Sequence, residues 1–272
     1  SNRLFPVDLK IRTLAKSLYK QVCDLPIISP HGHCDPIWFS KNKRFPDPAQ
    51  LFVIPDHYVF RMLVSQGLTL NELGVQTFDK SVFEKDPKKI WKKFSENYYL
   101  FRGTPTAMWL DYSFEKVFGI TELLTPATSD FYYNQIEEKL SKPEYLPQAL
   151  FDRFKIEVLS TTDSAISDLR QHSDIKNSTW DGRVIPTYRP DSVVDPESIG
   201  FKNNLVKLGE LANEDTNSWG GYLKAHRSRR LFFKEMGATA TDHGHPSART
   251  ENLSYEEAEQ LFERILAEDF NS

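Results

Sequence analysis

Two histidines one residue apart, His31 and His33, close an apolar run in the segment IISPHGHCDP at 27–36. If that run is a β-strand, residues i and i+2 share a face, and both imidazoles look the same way. Neutral imidazoles so placed can give a divalent cation two ligands at ~2.0–2.1 Å, or they can be hydrogen-bonded structural histidines. Two histidines leave a cation under-coordinated, so a carboxylate or a third imidazole is needed. Asp35, Asp163, Asp191 and Asp242 are candidates, and spacing alone singles out none of them. His243 and His245, in TDHGHP at 241–246, form a second pair expected to line the same site. Arg189 stands in YRPD, where its guanidinium fork could hold a carboxylate or phosphate through two hydrogen bonds, or pair with Asp191. His57, Tyr58 and Arg61 fall within one turn of a Pro-started helix, and the residues leave open whether His57 is functional, surface or core. Cys34 flanks the first pair as a conceivable ligand or nucleophile, though a small, partly buried thiol is the simpler reading.

These residues need elements to hold them. Ile11, Leu14, Ala15, Leu18 and Val22 recur at helical spacing, predicting a helix that covers the entry to the histidine strand. From 37 to 150 the text is aromatic, helical in period and punctuated by prolines, which predicts a helical insertion. After 150 the rhythm changes to short β-branched runs at 154–164, 182–191 and 237–246, with helical text between them. Gly237 is placed as a helix C-cap, and Ser254 with Glu257 forms a capping box ahead of an apolar stripe through Phe262 and Ile265. With the histidine strand first, the chain reads as four strand–helix units, and such alternation demands a parallel sheet. In each unit the polar residues sit at the carboxyl end of the strand, where a TIM barrel builds its active site. The expected fold is therefore α/β and of TIM-barrel type, restricted to the N-terminal half of the barrel. Its parts are 1–36 with 151–272, and the insertion at 37–150. A half barrel leaves unpaired sheet edges and an open core face, so a homo-oligomer is expected.

Composition narrows the function classes. A net charge of −4 with 26% charged residues gives no concentrated basic face, which argues against nucleic acid as a partner. The runs KNKR at 41–44 and HRSRR at 226–230 read as solvated surface. No apolar run approaches a membrane span, and two cysteines suit a reducing compartment, so a cytoplasmic location without membrane contact is expected. Phosphate-binding loops, dinucleotide fingerprints, nucleophile elbows and C-x-x-C pairs are absent from the sequence.

In this order, DLPIISPHGHCDP, PDHYVFRML, LFRGTP, YRPD and TDHGHP resemble the uronate (glucuronate) isomerase family, a divergent branch of the amidohydrolase superfamily of metal-dependent TIM barrels. The resemblance runs from about residue 4 to the end. It implies an aldose–ketose isomerase that interconverts D-glucuronate with D-fructuronate and D-galacturonate with D-tagaturonate, with Zn2+ as the usual metal. It also implies that His31 and His33 are metal ligands, that His57 and Tyr58 are the catalytic pair reaching the substrate from the insertion, and that Arg189 contacts the substrate. Asp191 and His243 are read as further substrate-binding residues. The family's remaining ligand, an aspartate after the last strand, belongs to sequence beyond this length. Two other classes stay open at this point: a related metal-dependent hydrolase, and a fragment that is catalytically incomplete without a complementary chain.

Overall fold

The computed structural model describes residues 2, 4–245, 247 and 249–268; Pro246, the last residue of TDHGHP, lies outside them. In chain order the elements are α1 (Leu9–Val22), β1 (Ile27–Ser29), α2 (Ile37–Lys41), α3 (Pro48–Phe52), α4 (His57–Val64), α5 (Pro87–Glu96), α6 (Pro105–Tyr112), α7 (Ser129–Leu140) and α8 (Pro147–Arg153). Then follow β2 (Ile156–Ser164), α9 (Arg170–Lys176), β3 (Val184–Arg189), α10 (Asp191–Val194), α11 (Phe201–Ala212), α12 (Trp219–Glu235) and α13 (Tyr255–Leu266). Two compact units result, one made of 1–41 with 151–272 and the other of 42–150. The helical unit begins at 42 rather than 37, because α2 packs on α9 and Phe39 is buried with Phe151 and Leu159.

In the 42–150 unit the punctuation explains the helices. Proline stands in the first turn of α3, α5 and α6, where its missing N–H costs nothing. Asp47, Asp56, Asp86 and Thr104 each accept a hydrogen bond from a first-turn N–H. Trp91, Phe94, Phe101 and Phe114 are fully buried, and the Trp91 indole donates to the Ser129 carbonyl at 3.1 Å, which ties α5 to the start of α7.

The other unit holds a three-stranded parallel sheet in the order β1-β2-β3. Leu159, Ser160 and Thr161 are buried in succession, as a strand covered on both faces requires. The register pairs Ile28 with Val158 and runs from Leu159 opposite Val184 to Ser164 opposite Arg189. Tyr188, Phe233, Leu208 and Tyr222 form the core between β3 and the helices that follow it, and Phe262 of α13 closes it. Gly237 leaves α12 at φ +103°, and a Cβ there would stand 3.2 Å from Ile185, so glycine lets the chain return to the sheet.

Several expectations need correction. Among the described residues the fourth strand is a single parallel bridge between Tyr188 and Thr241, made by the Tyr188 N–H donating to the Ala240 carbonyl and the Asp242 N–H donating to the Tyr188 carbonyl. The first strand ends at Ser29, so His31 and His33 lie in the loop beyond it, and strand alternation is not what aims them. Helix α1 buries none of its residues, and its stripe of Leu9, Ile11, Leu14, Leu18 and Val22 is exposed rather than covering β1. In HRSRR, His226 and Arg229 face inward, where Arg229 donates to the carbonyls of Ala165 and Ser167. No helix among the described residues is long and apolar enough to cross a membrane.

Candidate functional site

His31 and His33 meet although neither is on a strand. Their Nε2 atoms are 3.0 Å apart, with ring centroids at 4.7 Å and the planes at 79°. That is slightly closer than two ligands of one tetrahedral cation stand, about 3.3 Å for bonds of ~2.05 Å. The loop is held from β2: Thr162 Oγ1 donates to the Gly32 carbonyl at 3.3 Å and lies 3.4 Å from His33 Nδ1. Gly32 is close under Ser160, and a Cβ there would stand 3.0 Å from its carbonyl oxygen. On the far side of His31, Asp242 Oδ2 is 2.8 Å from Nδ1.

Arg189 and Asp191 form the next part of the same chain of contacts. Arg189 Nε donates to Asp191 Oδ2 at 2.5 Å, and its Nη1 is 3.7 Å from Asp242 Oδ2. Asp191 Oδ1 accepts from the Gly244 N–H at 2.9 Å. A Cβ on Gly244 would come within 2.6 Å of Arg189 Nη2 and 2.7 Å of Asp191 Oδ2, so a side chain there would have to push the ends of that pair aside. Burial pushes the Asp191 carboxyl up, but the Gly244 N–H and the Arg189 guanidinium outweigh it and hold the carboxyl below its ordinary value. The pairing with Asp191 is thus realised, while Nη1 turns towards Asp242 and Nη2 lies against Gly244. His243 stands exposed on the same loop, with Nε2 3.2 Å from Thr241 Oγ1, and its ring centroid is 5.8 Å from that of His245.

The other carboxylates do separate work. Asp35 accepts from the Ile37 N–H at 2.9 Å as a cap for α2. Asp163, near the end of β2, is partly buried; Thr161 Oγ1 donates to it at 2.6 Å and lies 2.8 Å from Nε2 of the buried His172. Burial raises the Asp163 carboxyl and lowers His172, so both tend to neutrality. Spacing could have found His172, since Leu169, His172 and Ile175 recur every three residues and all three are buried. Burial also pushes the Cys34 thiol up.

In the helical unit, His57 and Tyr58 begin α4 side by side, both exposed, with ring centroids 4.2 Å apart and tilted by 34°. Asp56 Oδ1 accepts from the N–H groups of Tyr58 at 2.8 Å and Val59 at 3.4 Å, fixing the turn that presents them.

Among the described residues no group of three or more His, Cys, Asp and Glu side chains could hold a metal ion. His31 and His33 bring two imidazole nitrogens within hydrogen-bond distance of each other. Asp242 approaches the opposite nitrogen of His31 and stands behind that pair.

Residues 8–271 match the family model for glucuronate isomerase. The chain is 55% identical over 262 residues to the uronate isomerase of Rhizobium meliloti (strain 1021), covering 96% of this chain and 56% of the relative. It is 50% identical over 270 residues to the uronate isomerase of Phenylobacterium zucineum (strain HLK1), covering 99% and 56%. The crystal structure of glucuronate isomerase from Caulobacter crescentus superposes with a TM-score of 0.94 at 46% identity, covering 100% of this chain and 56% of that one. The uronate isomerase structure from Thermotoga maritima gives 0.84 at 28% identity, covering 94% and 54%. The chain therefore spans about half the length of the curated relatives it matches.

Proposed function

The chain belongs to the glucuronate isomerase family, and from that premise we propose that it carries the uronate-binding and metal-binding part of an aldose–ketose isomerase. The reaction is the interconversion of D-glucuronate with D-fructuronate and of D-galacturonate with D-tagaturonate. The observation that carries this reading is the convergence of two imidazole nitrogens, His31 Nε2 and His33 Nε2, beside a guanidinium, in a chain whose relatives are uronate isomerases.

His31 and His33 are the residues that would hold a divalent cation, with zinc the best match to nitrogen donors. Such a cation, when bound, supplies Lewis-acid polarisation of substrate oxygens. The guanidinium of Arg189 is read as the clamp for the uronate carboxylate. Asp191 holds that guanidinium in place, and His243 on the adjoining loop adds a hydrogen-bonding group at the substrate. Exchanging an aldose for a ketose moves a proton between C2 and C1 through a cis-enediol. His57 and Tyr58 are the groups assigned to that transfer, because an imidazole and a phenol presented together from one turn can hold and pass a proton.

The parallel order β1-β2-β3 with Thr241 as a fourth position, and the polar residues beyond the strand ends, support reading the sheet as the first half of a metal-dependent TIM barrel. Unpaired cysteines favour a reducing, cytoplasmic setting, and the exposed stripe of α1 favours a homo-oligomer.

The test is a reductase-coupled ketouronate assay with D-glucuronate and added zinc, run on a protein of the relatives' full length beside this 272-residue chain. Ketose formation by the longer protein supports the reading. Zinc-loaded longer protein that forms no ketose from either uronate would overturn it.

A further inference from the structure

Of the motifs that mark the chain, LFRGTP is the one to which the proposed reaction gives no task. Its residues start α6. Gly103 turns the chain at φ +83°, in the left-handed region that favours glycine, and Pro105 stands in the first turn of the helix. Between them Thr104 Oγ1 accepts from the Ala107 N–H at 3.2 Å. The helix so fixed buries Thr106, Ala107 and Leu110 and turns Trp109 outward. Of the five tryptophans Trp109 is the only exposed one, at 47%. An indole carries a large apolar face, and leaving that face in water is costly.

Trp109 does not stand alone. Its ring centroid is 6.3 Å from that of Tyr58, with the planes at 59°, and Tyr58 in turn lies 4.2 Å from His57. The three rings make one continuous aromatic surface on the 42–150 unit, and its two ends differ in chemistry. At one end an imidazole and a phenol can hold and pass a proton, whereas at the other an indole can only pack and donate its N–H. A ring face flanked by hydrogen-bonding groups matches a sugar acid, whose C–H groups form an apolar face bordered by hydroxyls.

We propose that Trp109 is a substrate-contacting residue, which packs its indole on the C–H face of the hexuronate beside His57 and Tyr58. It sets affinity for the substrate and leaves proton transfer to that pair. The inference rests on the reading that His57 and Tyr58 act on a uronate, and it gives LFRGTP its task, the aiming of the indole.

The experiment is steady-state isomerisation of D-glucuronate, with added zinc, by a protein of the relatives' full length, for the parent, Trp109→Ala and Trp109→Phe. Loss of a contact made equally in the ground and transition states raises KM and leaves kcat unchanged. Trp109→Ala is expected to raise KM about 3- to 10-fold with kcat within about twofold of the parent. Trp109→Phe keeps a smaller ring face and is expected to lie between the two. Tryptophan emission gives a readout that a merely structural role would not move. Saturating D-glucuronate should change the emission of the parent, and that change should shrink in Trp109→Phe. Should Trp109→Ala fail to fold, this comparison decides alone. Parent-like KM in Trp109→Ala, or an equal emission change in the parent and Trp109→Phe, would overturn the contact while leaving the isomerase reading intact. A parent protein that forms no ketose would overturn both.

Discussion

At the scale of single residues, burial sets chemistry that residue type leaves open. His226 is the clearest case, because HRSRR reads as solvated charge while the imidazole is buried against Tyr188, whose hydroxyl is 2.7 Å from its Nδ1. Burial, helped by Arg230 and His243, pushes its pKa down from 6.5 to about 4. Between those values the unfolded chain binds a proton that the folded chain refuses. His226's contribution is therefore intact above pH ~6.5 and is lost as the pH falls to about 4, amounting to about 3 kcal/mol at ~1.36 kcal/mol per pKa unit. The buried His172 acts in the same direction. Urea unfolding across this range is expected to show stability falling with acid, with a shallower fall in His226→Gln. Equal slopes in the two proteins would refute the assignment. At Arg189 the residue types allowed either pairing with Asp191 or capture of an anion, and the structure shows the first, with Nε donating to Asp191 and Nη1 3.7 Å from Asp242.

At the scale of elements, local signals predicted starts and stops well. The capping box of Ser254 and Glu257 forms as spaced, with Ser254 accepting from the Glu257 N–H and the Glu257 carboxylate from the Ser254 N–H. Asp56 does similar work at α4, where the capped turn carries His57 and Tyr58. Asp56→Ala removes the acceptor for two first-turn N–H groups and should cost about 1 kcal/mol. Amide hydrogen exchange should accelerate at Tyr58 and Val59, and an unchanged rate there would show that packing of Val59 and Leu63 alone holds the turn. The strands were harder to delimit. Their β-branched runs marked where they lie, but hydrogen-bonding partners decide where pairing stops, and neither the three-residue β1 nor the single bridge at Thr241 follows from composition.

At the scale of the whole molecule, α1 presents an apolar face that none of its neighbours buries. Leu9, Leu14 and Leu18 are 66%, 61% and 57% exposed, and Ile28 on the neighbouring edge strand is 62% exposed. Apolar surface of this kind is costly in water and drives association. Sedimentation of this chain is therefore expected to show self-association that disappears in Leu14→Glu with Leu18→Lys. A monomeric parent would remove this face as its cause. The division into two units has a local origin as well, since 42–150 carries its own aromatic core around Trp91 and Phe94, and the strands and their helices bury a separate one around Tyr188 and Phe233.

The sequence by itself determined the α/β character, the Pro-led and Asp-capped helices and the motif residues on which the site is built. Those features depend on residue type and short spacing, and they act within a few positions along the chain. Only the tertiary structure decided which nitrogen of His31 faces Asp242, that Gly244 lies against the Arg189–Asp191 pair, and that His226 lies inside. Each of these joins residues far apart in sequence, Asp242 standing 211 positions after His31, and no local period encodes such a contact. Packing does, because the hydrogen bonds of the parallel sheet bring the ends of its strands together whatever lies between them in the chain.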